Sequence, residues 1–88
     1  MHKYRYSYNI EKEADVEAFL RACTMIESAG IDGIQKTDFA IDVDGSLLQV
    51  YQVSDGEIVV FNDYEVDAVY ADSDIDLSAL FTPAPFSE

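Results

Sequence analysis

The sequence predicts an α+β domain in which a single helix packs on one face of a four- to five-stranded, mainly antiparallel sheet. Three observations carry this. Residues 38–63 read DFAIDVDGSLLQVYQVSDGEIVVFND, alternating apolar segments punctuated by Asp44-Gly45 and Asp55-Gly56. Residues 2–10 alternate with Tyr4, Tyr6, Tyr8 and Ile10 on one side. Between them, residues 11–29 carry apolar side chains at helical spacing. The expected order is β-α-β-β-β, with a further strand and a short C-terminal helix as additions.

The meander comes first because it sets the register. Asp-Gly between alternating segments signals a two-residue hairpin, since a type I′ turn needs φ > 0 at both central positions. With turn tips at Asp44-Gly45 and Asp55-Gly56, Ile41 faces Leu48, Phe39 faces Val50, and Val50 faces Phe61. The buried layer is then Phe39, Ile41, Val43, Leu48, Val50, Val59 and Phe61. Leu47, Gln49, Tyr51, Val53, Ile58, Val60 and Asn62 face outward. Asn62-Asp63 is read as a third tight turn, which puts Tyr64, Val66, Ala68 and Tyr70 on the core face and Glu65, Asp67 and Val69 outward. Val66, Val69 and Tyr70 also fit a helical turn, so residues 64–72 stay open between strand and helix.

In the helix, Val16, Phe19, Leu20, Cys23 and Ile26 follow the i, i+3, i+4, i+7 rule. Glu11, Glu13, Asp15 and Glu17 sit where carboxylates complement the positive end of the macrodipole, and Gly30 sits where a left-handed residue ends a helix. Phe19 is expected to meet Phe61 between helix and sheet. Towards the C-terminus, Asp74 or Asp76 caps a short helix through Leu77, Leu80 and Phe81. Residues 82–88 form an extended tail, anchored through Phe86 or frayed. The whole chain, residues 1–88, reads as one domain. Its 49% apolar content is too high for a disordered chain despite the charge.

Charge placement narrows function. The net charge is −13, and all five basic residues, Lys3, Arg5, Lys12, Arg21 and Lys36, lie in the first 36 positions. From Thr37 onward there are twelve acidic residues and no basic one. That argues against binding nucleic acid or an anionic membrane and favours a positively charged partner. No apolar run approaches spanning length, so a soluble, cytoplasmic protein is expected. One cysteine, Cys23, excludes an internal disulfide and is read as a buried, inert thiol.

No catalytic constellation stands out, and no cofactor or metal is expected. His2 is the only histidine, and carboxylate pairs occur too often here to carry information about acid–base chemistry. Asp72-Ser73-Asp74-Ile75-Asp76 opens like a calcium loop, but Leu77 stands where the sharp turn needs glycine and Pro83 where the bidentate glutamate belongs.

The partner surface is therefore placed on the outward face of the meander. Asp38, Asp42, Asp44, Glu65 and Asp67 would flank an apolar band centred on Tyr51. Carboxylates on alternate strand residues recur every ~6.6–6.8 Å and can imitate a line of phosphates.

In size, acidity and fold type the chain resembles the anti-CRISPR and DNA-mimic inhibitors of phages and mobile elements, and also the immunity proteins and antitoxins that block nuclease toxins. The resemblance implies a stoichiometric inhibitor, not an enzyme, whose partner is a basic nucleic-acid-binding protein or effector complex. An immunity protein or antitoxin is the first alternative. A non-catalytic homo-oligomer subunit, dimerising through the outward sheet face, is the second.

Overall fold

The structure is a computed structural model that describes residues 4–83. The described residues form an α+β arrangement of one helix and a six-stranded antiparallel sheet. In chain order the elements are β1 (Tyr6–Glu11), α1 (Val16–Glu27), β2 (Gln35–Ile41), β3 (Leu47–Val53), β4 (Gly56–Asp63), β5 (Ala68–Ser73) and β6 (Thr82–Pro83). Across the sheet the order is β2-β3-β4-β5-β1-β6.

The meander forms, but both of its turns differ from the expected two-residue Asp-Gly tips. Ile41 pairs with Leu47, not Leu48, so the first connection is a five-residue loop, Asp42 to Ser46. Its backbone closes through Asp42 N–H to Ser46 O at 2.9 Å and Gly45 N–H to Asp42 O at 3.0 Å. That one-residue slip reverses the parity of β2 against β3. In the second hairpin Val53 pairs with Gly56 and Val50 with Val59, which leaves Ser54-Asp55 as the tip. Gly56 then starts β4 at φ +140, where a Cβ would run into Asp74.

The buried face is the opposite one from the sequence expectation. Tyr51, Ile58 and Val60 are fully buried, with Val53 and Asn62, against Tyr8, Val69 and Ala71 of the neighbouring strands. Alpha-helix α1 covers them with Ala18, Phe19, Ala22, Cys23 and Ile26, while Val16 and Leu20 stay exposed. Phe19 therefore does not meet Phe61, which lies on the other side of the sheet beside Leu48 and Tyr70. The sequence was ambiguous because both faces of β3 and β4 are apolar. Alternation between two apolar sets carries no sign of which one is inside.

Asp15 caps α1, accepting from Glu17 N–H at 3.0 Å, and Gly30 has the left-handed φ of +74 expected after a helix end. Residues 64–67 are a connecting loop, not strand or helix, and β5 begins at Ala68. Val69 is buried and Tyr70 is on the uncovered face, again the reverse of expectation. The C-terminal helix shrinks to one turn. Asp76 accepts from Ser78 N–H at 2.8 Å, and Phe81 N–H reaches Leu77 O at 3.0 Å. Leu77 and Phe81 join the core beside Tyr8, on the helix side of the sheet. Thr82 and Pro83 then pair with β1, so the start of the expected tail is an edge strand. Phe86 and His2 lie outside the described residues.

Candidate functional site

Because the strands alternate in direction, three connections meet at one end of the sheet: residues 12–15, 42–46 and 64–67. They are tied together by hydrogen bonds. Tyr64 N–H donates to Ser46 Oγ at 2.9 Å, Ala14 N–H to Asp67 Oδ1 at 2.9 Å, and Asp15 N–H to Asn62 Oδ1 at 2.9 Å. The β4–β5 loop is also braced from within, since Asp63 Oδ1 accepts from Glu65 N–H at 2.9 Å and Val66 N–H at 3.4 Å. Short Asp side chains make such local turns because their oxygens reach the backbone one or two residues on.

Four of the six expected site residues converge here, though not as expected. Asp42, Asp44 and Glu65 are exposed and line, with Asp63, a cleft of about 340 Å³ whose apolar wall includes Leu48, Phe61 and Tyr70. Asp67 belongs to the same end but its carboxylate is spent on Ala14, and its own φ is +57. Asp44 Oδ1 accepts from Ser46 N–H at 2.9 Å. The backbone and side-chain hydrogen bonds from Ser46 hold its carboxyl below the usual range. The row of carboxylates along a strand does not form, since Asp42 and Asp44 lie in a loop.

The other two are placed elsewhere. Asp38 is exposed on the edge strand β2, in a bulge between Lys36 and Phe39, with its carbonyl accepting from Gln49 Nε2 at 3.1 Å. Tyr51 is 0% exposed and cannot anchor a partner. Its hydroxyl donates to Glu27 Oε2 at 2.6 Å, and burial pushes the phenol above its usual range. The expected outward dimer face, with Tyr51 and Val60 at its centre, is likewise the core under α1.

The open face runs down from the cleft. Leu48, Val50, Phe61 and Tyr70 are half-buried and Val59 is buried there, with no element among the described residues lying over them. Phe61 and Tyr70 stack at 4.7 Å between centroids, 19° from parallel. Tyr70 OH donates to Asp63 Oδ2 at 3.2 Å, and its phenol is pushed up to about 12 by desolvation and then by the Asp63 charge. Further along, Asp72 Oδ1 accepts from Ser7 Oγ at 2.8 Å, and Glu57 accepts from Tyr4 OH and from Gln52 Nε2 at 3.0 Å. An apolar centre bounded by carboxylates has the anatomy of a protein interface. Sequence reasoning missed Phe61, Asp63 and Tyr70. The signal was their parity: Phe61 and Asp63 share a side of one strand, and Tyr70 becomes their neighbour once the loop is four residues long.

Nucleophile chemistry finds no support at Cys23, which is buried and whose thiol burial pushes up. No helix among the described residues is long and apolar enough to cross a membrane. Comparisons with protein-family models, with curated proteins and with solved structures returned no match.

Proposed function

We propose that the protein is a stoichiometric inhibitor, of anti-CRISPR or DNA-mimic type, that blocks a basic nucleic-acid-binding surface of a nuclease or effector complex. The observation that carries this reading is the joining of Asp42, Asp44, Asp63 and Glu65 to an uncovered aromatic face at one end of the sheet. Carboxylates in such a cluster raise the local negative potential and steer a basic partner into encounter. Phe61, Tyr70 and Leu48 supply apolar contact that slows dissociation once the partner is seated. Phosphate imitation rests on the cluster at the loop ends, not on a periodic row along a strand. The partner is a basic nucleic-acid-binding protein met in the cytoplasm, and the protein itself performs no catalysis.

The test is capture of the partner by the immobilised protein at low salt, followed by challenge with duplex DNA and with RNA. A nucleic-acid-binding protein that is released by either competitor, and whose cleavage activity falls to zero at one inhibitor per active site, supports the reading. A neighbouring toxin recovered in the same way assigns the target as a toxin nuclease. A partner that stays bound under saturating nucleic acid and high salt rules out mimicry.

A further inference from the structure

On the open side of the sheet, Ala40, Leu48, Phe61 and Tyr70 form one row across β2, β3, β4 and β5. The smallest of them stands at the edge, where Ala40 is exposed and Leu48 and Phe61 beyond it are half-buried. The step from Ala40 up to the Phe61 ring belongs to the lining of the cleft of about 340 Å³. That volume is near the lower end of the ~300–1,000 Å³ range of ligand pockets. It has room for one long side chain, not for a helix.

The aromatic wall of this cleft is fixed in advance. Asp63 Oδ2 accepts from the Tyr70 hydroxyl at 3.2 Å, while Oδ1 takes the backbone N–H groups of Glu65 and Val66. Tyr70 in turn stacks on Phe61. Asp63 therefore positions the ring pair and has little left to offer a ligand. The rim is different. Asp42 and Glu65 are exposed, one from each loop. Among the described residues nothing bonds Asp42 Oδ2 or either carboxylate oxygen of Glu65. Nor do three acidic groups among those residues gather closely enough to hold a metal ion. The free acceptors are spread out, beside a flat ring.

We propose that the cleft receives an arginine side chain of the partner, its stem over Ala40 and Leu48 and its guanidinium against Phe61, within reach of Asp42 and Glu65. The inference rests on the reading of this end of the sheet as the partner surface, and names the group that it takes. A guanidinium is planar, stacks on aromatic faces, is weakly hydrated and spreads five N–H donors, so it can meet separated carboxylates at once. A lysine ammonium is a compact, strongly hydrated point charge. It suits neither the flat wall nor the spread acceptors. A nucleic-acid base would stack as well, but it would bring phosphates to a rim of carboxylates.

The experiment titrates the isotopically labelled protein with a short peptide of alternating glycine and arginine, and with its lysine counterpart of equal length and charge. The arginine peptide should bind about fivefold or more tightly, with shifts centred on Leu48, Phe61 and residues 42–46. Ala40→Ile keeps every carboxylate and ring but fills the step beside Leu48, and should bring the two peptides to equal affinity. Ala40 is exposed on an edge strand, where a β-branched residue is well tolerated. Phe61→Leu keeps an apolar wall without a ring and should likewise erase the preference, while Asp42→Asn/Glu65→Gln should weaken both peptides. Equal affinity of the parent for the two peptides, shifts centred on Glu57 and Asp72, or an arginine preference that survives Ala40→Ile would overturn the proposal. Competition on the captured target separates this inference from the inhibitor reading. Peptides that bind alike, beside a target that DNA or RNA releases, would end the arginine site and leave the inhibitor. An arginine preference, beside a target that nucleic acid cannot release, would keep the site and end mimicry.

Discussion

The Tyr51 hydroxyl donates to Glu27 Oε2 at 2.6 Å, joining the middle of β3 to the last turn of α1. Tyr51→Phe removes this bond and the longer one from the same hydroxyl to Cys23 O at 3.5 Å, and should cost about 1.5–3 kcal/mol at neutral pH, in the range for a hydrogen bond to a charged group. The Tyr51 bond, with help from Lys36, holds the Glu27 carboxyl below its usual range. That contribution is complete above the unfolded-chain value of about 4.3 and is lost as pH falls through the lower folded-state value. The stability gap between parent and Tyr51→Phe, measured by urea melts, should therefore narrow below about pH 4. A gap that widens on acidification would contradict the assignment.

The two aromatic positions Phe19 and Phe61 separate the faces. Phe19 is 1% exposed under the sheet, and Phe19→Ala should cost about 3–5 kcal/mol. Phe61 is half-buried on the open face, and Phe61→Ala should cost roughly half as much, since part of its area is never removed from water. Denaturant midpoints in the reverse order would mean that the open and covered faces are exchanged.

Gly56 opens β4 at φ +140 with Asp74 packed against its Cα, and Glu57 N–H donates to Asp74 Oδ2 at 3.0 Å. Gly56→Ala adds both strain and collision, so a loss of about 1–3 kcal/mol is expected. Equal stability of Gly56→Ala and parent would place the turn tip elsewhere.

Asp67 combines a left-handed backbone with a hydrogen bond to Ala14 N–H at 2.9 Å. Asp67→Ala loses both advantages and should cost about 1–2 kcal/mol, whereas Asp67→Asn keeps the acceptor and the tolerance of φ > 0. Thermal melts showing the two variants alike would deny the bridge between these loops.

Much of this fold was legible because strands and helix announce themselves by period, and Asp-Gly pairs mark where the chain turns. What the period does not contain is the sign of a face. Tyr51 and Val60 on one side, and Val50 and Phe61 on the other, are equally apolar. Phe39 and Ile41, expected in one layer with Val50 and Phe61, lie instead on the Tyr51 side and stay exposed at the edge strand. The first Asp-Gly pair misled for a local reason. Asp42 and Asp44 both bond the loop backbone, at 2.8 Å to Val43 N–H and 2.9 Å to Ser46 N–H. These bonds stabilise a longer turn than Gly45 alone would need. Four site carboxylates still met, because any register of this meander brings the 42–46 and 64–67 loops to one end. Tyr51 could not be placed without knowing which face α1 covers.

The most direct measurement of the central claim is the association rate of the captured target with parent and with Asp42→Lys/Asp44→Lys, across a range of salt. Both positions are exposed, but their carboxylates accept from Val43 N–H and Ser46 N–H. The variant should therefore stay folded and melt somewhat below the parent, and rates are compared at a temperature where both are native. Parent association should be fast at low salt and fall steeply as salt rises. The reversed variant should associate about tenfold or more slowly, with a flatter salt dependence, and nucleic acid should block both. Equal rates for the two proteins, or a complex that holds inhibitor and nucleic acid on the target together, would contradict the account.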